Sequence, residues 1–254
     1  MKQFDLNADL GEGMPGDAAL FDIISSASIA CGGHAGDETT MRLALRAARA
    51  RGVAVGAHPG FADREHFGRR RLLLPPEELD EQGRAQVRAL VEFAEEEEVP
   101  VRYLKLHGAL ANMAAEEPAV AALCFASVTG LVPGLAVLAI DDSAQVEVAE
   151  ALGYPVVREA YADRAYQPNG LLVPRSEPGA VLHDGKAIAE RAVRLARSGE
   201  LVAIDGSVIR GGRGDCARGA AGARGRGRCH PRALLRLRGG TSCSISAAPH
   251  EELP

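Results

Sequence analysis

The chain has 254 residues, 46% of them apolar, with 29 basic and 34 acidic side chains and a formal net charge of -5. That length buries a full core within one large domain, and that charge gives no general attraction to nucleic acid or to anionic membranes. No uncharged apolar run reaches the length of a membrane span, the leading MKQFDLNADL lacks the apolar run of a signal peptide, and five cysteines without a CxxC pair suit a reducing compartment. A cytoplasmic α/β protein is expected.

Short β-like runs alternate with amphipathic stretches along most of the chain. Strands are expected over 4–10, 26–31, 53–58, 101–107, 135–141, 155–162 and 201–207, several of them nearly continuous in apolar or small residues, as in strands buried on both faces. Asp37 is placed to N-cap a helix over 38–51 that Gly52 stops. Further helices are expected after Pro75 and Pro76 to Glu98, from Glu116 onward, and over 185–198 before Gly199. The run EFAEEEEVP (92–100) reads as a solvated helix end.

Strand–helix units in series imply parallel strands, because parallel neighbours need crossover helices. An open doubly wound sheet and a closed barrel both satisfy that rule. The barrel is preferred because nearly every expected strand ends in residues capable of chemistry: Asn7 and Asp9, Cys31 with His34, His58, Lys105 and His107, Asp141 with Asp142, Asp163 with Arg164, and Asp205. In a β/α barrel those ends meet on one face.

Three histidines, His34, His58 and His107, lie at or just past strand ends beside glycine or proline. Imidazoles on separate strands can converge on a divalent ion, with Asp9 completing a set of His34, His58 and Asp9. Isolated strand-end histidines also serve as hydrogen-bonders, so a site without metal stays open. In DLNADLGEG (5–13), Asp5, Asn7 and Asp9 alternate and share one face of a strand; pointing inward is cheaper than meeting apolar helices. Glu12 follows on the loop. In KLHGAL (105–110), Lys105 sits between Leu104 and Leu106, where it can stabilise an oxyanion or a substrate carboxylate or pair with a structural acid. Asp163, Arg164 and Arg175 lie in a proline- and glycine-punctuated loop, and an arginine fork suits an anionic substrate group. No GxxxxGK[ST] or GxSxG motif is present. Cys31 has no adjacent base to activate it and reads as the small buried end of the second strand.

Together DLNADLGEG, ASIACGGHAGD, GVAVGAHPGFADREHFGRR, KLHGAL and YADRAYQPNGLLVPRS resemble the LamB/YcsF family, to which the A subunit of bacterial 5-oxoprolinase belongs, in order from Phe4 to Ile209. The resemblance implies a seven-stranded (β/α) barrel of the glycoside hydrolase/deacetylase type. It also implies ATP-dependent cleavage of the 5-oxoproline lactam to glutamate, in complex with B and C subunits that handle ATP. The family's motif residues fall on Asn7, Asp9, Glu12, His34, Asp37, His58, Asp63, Lys105, His107, Asp163, Arg164 and Arg175. On this reading Asp9, Asn7, His34, Lys105 and His107 form the catalytic group, and Glu12, Asp37, Asp63, Asp163, Arg164 and Arg175 bind the substrate. The alternatives are a metal-dependent deacetylase and a non-catalytic substrate-binding subunit.

Two small departures from the family pattern are Gly33, where an aromatic is usual, and KLHG in place of KPHG at 105–108. A larger one follows Ile209. Residues 210–254 hold nine arginines, nine glycines and three acids, leaving 20 basic and 31 acidic side chains in 1–209. The expected barrel domain is therefore 1–209. The atypical tail reads either as a basic RNA-binding segment, which its lack of aromatics disfavours, or as out-of-frame translation of a GC-rich gene. Loss of the family's Cys-x-His-Gly-Asp element at the composition break favours the second.

Overall fold

A computed structural model describes residues 5–14, 16–128, 130–210 and 242–246. In chain order the elements are β1 (Asp5–Leu10), a short α1 (Asp17–Leu20), β2 (Ser26–Ala30), α2 (Glu38–Arg51), β3 (Ala54–His58), α3 (Pro76–Glu96), β4 (Val101–Leu104), α4 (Gly108–Glu116), α5 (Pro118–Val128), β5 (Ala136–Ile140), α6 (Ala144–Ala151), β6 (Val156–Tyr161), α7 (Gly185–Ser198), β7 (Glu200–Val202), β8 (Val208–Arg210) and β9 (Ser242–Ser246). Strands β1 to β6 pair in sequence order and all in parallel, curling into a sheet whose ends β9 joins by pairing with both β6 and β1.

Local signals explain most boundaries. Asp37 accepts from the Thr40 N–H at 2.8 Å while the Thr40 hydroxyl accepts from the Asp37 N–H at 2.8 Å, a reciprocal cap that starts α2. Gly52, in the left-handed region, stops it, and Gly199 stops α7 in the same way. Asp184 caps α7 by accepting from Lys186 and Ala187.

Alternation along the strands divides the interior in two. Leu10, Ile29, Val55, Ala57, Leu104 and Val137 face outward and pack with Met41 and Leu45 of α2, Val87 and Leu90 of α3, and Phe125 of α5. Each fully buried leucine there contributes roughly 2 kcal/mol. The opposite, inward face carries an apolar cluster of Tyr103, Ala136, Leu138 and Val157 and, on the side of β1 and β2, a polar one. The Asn7 side-chain amide donates to Tyr103 Oη at 2.8 Å and to Ser26 Oγ at 2.7 Å. Because β1 and β4 are not neighbours in the sheet, the first of these bonds crosses the barrel interior. Ser26 Oγ in turn donates to Asp5 Oδ2 at 2.6 Å, so Asp5, Asn7 and Asp9 do share the inward face. Tyr103 fits only because β3 carries Gly56 opposite it, where a Cβ would stand 2.1 Å from the ring.

The structure corrects several expectations. Residues 201–207 do not form the seventh strand of the ring. There β7 turns through Asp205 and Gly206 and runs back antiparallel as β8; Asp205 Oδ1 accepts from the Ser207 N–H at 2.9 Å and Gly206 has φ +87°. That turn chemistry reverses the chain after three strand residues and removes Asp205 from the ring. The closing strand β9 comes instead from beyond residue 209, so the barrel does not end where the composition changes. The rest of the tail, residues 211–241 and 247–254, lies outside the described residues. The strand expected over 101–107 ends at Leu104, and Gly108 opens α4. The glutamates at 96–98 are not simply solvated: Arg42 and Arg46 on α2 hold Glu96 and Glu97, with Arg46 Nη2 at 2.7 Å from Glu97 Oε1, and Arg49 pairs with Glu98.

Candidate functional site

The carboxyl ends of β1, β3, β4 and β6 open onto a cavity of about 480 Å³. Its floor is formed by Asp9, Glu12, His58, Lys105, His107, Glu159 and Tyr161, and its rim includes Arg69, Arg71, Arg164 and Arg175. A second depression of about 350 Å³, among Val91, Ala94, Val99 and Leu131, lies at the amino end of β4 and gathers no comparable cluster.

Lys105 is the centre of the floor. Past the end of β4 the chain still pairs alternately with the β3 segment, the Lys105 N–H donating to Ala57 O and the His107 N–H to Pro59 O, each at 2.9 Å. Both side chains are therefore turned to the same side. The Lys105 ammonium, 2% exposed, lies 2.8 Å from Asp9 Oδ1, 2.8 Å from Glu159 Oε1 and 3.3 Å from Asn7 Oδ1. An ammonium has three N–H bonds, and here each has an acceptor. Burial opposes its charge, but Asp9 and Glu159 hold the Lys105 pKa well above the usual lysine value. Burial likewise pushes Asp9 up, and the charges of His58 and Lys105 overcome it, leaving that carboxyl well below the ordinary range. Because burial keeps His58 neutral, Lys105 is the cation that does so at neutral pH.

Beside this ion cluster the three histidines meet. The His58 Nδ1–H donates to the Lys105 carbonyl at 2.8 Å, and the His107 Nε2–H to the Phe67 carbonyl at 2.9 Å. The remaining nitrogens, His58 Nε2 and His107 Nδ1, face one another at 3.0 Å. His34 stacks flat on His107 with ring centres 3.5 Å apart and places Nε2 3.2 Å from Glu12 Oε1. Gly68, at φ +64°, makes the stack possible, since a Cβ there would lie 2.8 Å from His34 Cβ. Desolvation lowers His34 and His107 to about 4, and burial with the Asp9 charge raises Glu12 to about 7. Among the described residues, Glu12, His34, His58 and His107 each offer a ligand atom within 4.8 Å of the others, a geometry compatible with a divalent metal.

The expected site residues thus separate. Asn7, Asp9, Glu12, His34, His58, Lys105 and His107 come together. Asn7 and His34 lie behind the floor, each 1% exposed. Arg175 is on the exposed rim. Arg164 also borders the cavity, but its guanidinium donates to the carbonyls of Val173 at 2.6 Å and Ala180 at 3.2 Å and so staples its own loop. Asp37, Asp63 and Asp163 do not line the cavity: Asp37 caps α2, Asp63 holds His66 at 2.9 Å, and Asp163 is buried just before Arg164. Asp9, expected among metal ligands, is turned to Lys105, while Glu12 and His107 join His34 and His58. Cys31 is buried, donates to Ile29 O, accepts from the His58 N–H at 3.3 Å, and is pushed up to about 12 by burial.

Glu159, Tyr161 and Tyr103 belong to this constellation, although the sequence alone does not single them out. Glu159 and Tyr161 alternate with outward residues on β6, the same period-two signal that Asp5, Asn7 and Asp9 carry on β1. Gln86 of α3 is another: it accepts from the Gly60 N–H at 3.1 Å and donates to Gly60 O at 2.8 Å, fixing the loop after His58. Gly33 leaves room for it, since a Cβ there would meet Gln86 Oε1 at 2.2 Å.

No helix among the described residues is long and apolar enough to cross a membrane. The chain is 44% identical over 216 residues to a 5-oxoprolinase A subunit (the one numbered 2) of Bradyrhizobium diazoefficiens, covering 83% of this chain and 84% of that one. It is 45% identical over 215 residues to the 5-oxoprolinase A subunit of Kocuria rhizophila, covering 83% and 85%. Its fold matches the crystal structure of a lactam utilization protein from Thermus thermophilus with a TM-score of 0.79 at 33% identity, covering 98% of this chain and 91% of that one. The LamB/YcsF family model matches residues 4–212, and the chain belongs to that family.

Proposed function

We propose that this chain is the lactam-opening subunit of a cytoplasmic, ATP-dependent 5-oxoprolinase, acting with B and C partner subunits to convert 5-oxoproline to glutamate. Its relatives are named as A subunits of that enzyme, and the chain has no phosphate-loop motif of its own, which suits phosphorylation of the amide oxygen by the partners. The observation that carries the reading is the buried Asp9–Lys105–Glu159 cluster at the floor of an arginine-rimmed cavity. Such a cavity takes a small ring with a reactive amide at one end and a carboxylate at the other.

In this reading Asp9, kept ionised by Lys105, accepts a hydrogen bond from water and takes its proton as the water adds to the amide carbon. Asn7 is a positioning residue that holds Lys105 from below. With its donors occupied, Lys105 acts through its charge, which stabilises the developing oxyanion in a site of low dielectric. Asp9 then passes the proton taken from water to the departing nitrogen, while His107, neutral with its one N–H on the Phe67 carbonyl, lines the floor beside it. Arg175 binds the substrate carboxylate in preference to Arg164, whose donors hold its own loop. A glycoside hydrolase/deacetylase-type barrel is the architecture that accompanies this assignment. The histidine–Glu12 cluster favours one second reading, a metal-dependent deacetylase-like hydrolase, which chelator-sensitive release of acetate would identify.

The test is ATP-dependent formation of glutamate from 5-oxoproline by this chain with and without its partners. Asp9→Asn abolishes turnover by the reconstituted complex and leaves the fold intact; near-normal activity in that variant refutes the role of Asp9.

A further inference from the structure

We propose that Glu12, His58 and His107, with His34 beside them, bind one divalent transition-metal ion, and that Asp9 is outside its ligand set. A neutral imidazole carries one N–H. That of His58 is used on the Lys105 carbonyl and that of His107 on the Phe67 carbonyl, which leaves bare lone pairs on His58 Nε2 and His107 Nδ1. These two nitrogens nevertheless face each other at 3.0 Å. Lone pairs so placed repel unless a cation lies against both.

The surroundings fit a metal ion better than a third proton. A proton between the rings satisfies those two nitrogens alone, whereas an ion also takes in Glu12 Oε1, 3.7 Å from His107 Nδ1 and 4.0 Å from His58 Nε2. Zinc donors stand about 2.0–2.1 Å from the ion, so neighbouring donors in a tetrahedral set are roughly 3.4 Å apart. The separations among His58, His107, Glu12 and His34 straddle that value, with His34 Nε2 at 3.2 Å from Glu12. Backbone carbonyls on the far nitrogens of His58 and His107 are the outer contacts that fix tautomer and ring direction in metal-binding histidines. His34 Nδ1 has no such partner, which makes His34 the weakest of the four. Although Asp9 Oδ2 reaches to 3.5 Å from His58 Nε2, Asp9 stands apart because its other oxygen is held by Lys105, and the donors gathered within 4.8 Å of one another are those of Glu12, His34, His58 and His107. A nitrogen-rich set with one carboxylate suits Zn²⁺ and its first-row neighbours over Mg²⁺ or Ca²⁺.

Ion binding is independent of the lactam reading, because it is measured without substrate. The full chain, stripped with chelator, is titrated calorimetrically with Zn²⁺, and retained zinc is counted after gel filtration. One ion per chain is expected. His58→Ala and His107→Ala weaken binding by at least about 100-fold, Glu12→Gln by at least about tenfold, and His34→Ala by less than the other histidines. Asp9→Asn stays within about threefold. Cobalt(II) in place of zinc gives the visible bands of a four-coordinate nitrogen–oxygen site, and Glu12→Gln changes them. If a histidine variant fails to fold by circular dichroism, Glu12→Gln and Asp9→Asn decide. Absence of retained zinc in the folded chain overturns the proposal, as does an Asp9→Asn loss equal to that of Glu12→Gln.

Discussion

Replacing Lys105 by methionine removes one charge and little volume, and it tests the ion cluster directly. Lys105 bridges two carboxylates whose side chains are 14% (Asp9) and 2% (Glu159) exposed. Removing one partner from a buried ion pair costs about 3–5 kcal/mol, because the remaining charge is left without compensation. For a chain of this size that lowers the melting midpoint by roughly 6–20 °C at pH 7. The pH dependence has a definite sign. In the parent chain Asp9 is held below its unfolded value, so its contribution is complete above about pH 4 and is lost only as pH falls through the lower folded value. Without Lys105 the burial of Asp9 is no longer offset, its carboxyl rises above the unfolded value, and the cost is relieved as pH falls towards 4. The gap between parent and Lys105→Met, followed by thermal melts from pH 8 to pH 4.5, is therefore widest at the alkaline end and narrows with acid. Adding Glu159→Gln restores part of the loss, since one of the two stranded charges is gone. A midpoint within 2 °C of the parent at pH 7 (about 1 kcal/mol or less), or a gap that widens with acid, refutes the reasoning.

Gly56→Ala drives a Cβ to 2.1 Å from the buried Tyr103 ring; urea denaturation should show a loss of about 3 kcal/mol, partly restored by a second change, Tyr103→Leu. A loss below about 1 kcal/mol would mean that the ring has room to move. Cys31, raised to about 12 by burial, should resist iodoacetamide at pH 8 in the folded chain and react once denatured, as peptide mapping reads residue by residue. Labelling at the rate of an exposed thiol would contradict its burial. Loss of glutamate formation in Asp9→Asn, with unchanged circular dichroism, completes the set.

Much of the frame is visible in the sequence where the signal is local. The alternation of Asp5, Asn7 and Asp9 places all three inward, and Asp37 with Gly52 bounds α2. The histidines are legible as strand-end residues on neighbouring strands. What stays hidden depends on partners far along the chain. Tyr103 is bonded to Asn7 from 96 residues away, so nothing near it marks its role, and the glutamates at 96–98 acquire partners only when α2 packs beside α3. In 201–207 an apolar run outweighs the Asp205–Gly206 turn that reverses it. Glu159 carries the same alternation as Asp9, but β6 also holds Arg158, which faces the other way, pairs with Asp141 at 3.1 Å and blurs the contrast between the two faces.

The cavity described above is electrically polarised from bottom to top. Two carboxylates share one ammonium at the floor, Glu12 adds a third acid beside them, and the rim carries Arg69 and Arg175. An anionic guest entering this gradient is turned before it touches the floor, with its negative end retained at the mouth and its neutral end leading. Orientation is thereby imposed by the field over the whole depth of the cavity, ahead of any single contact.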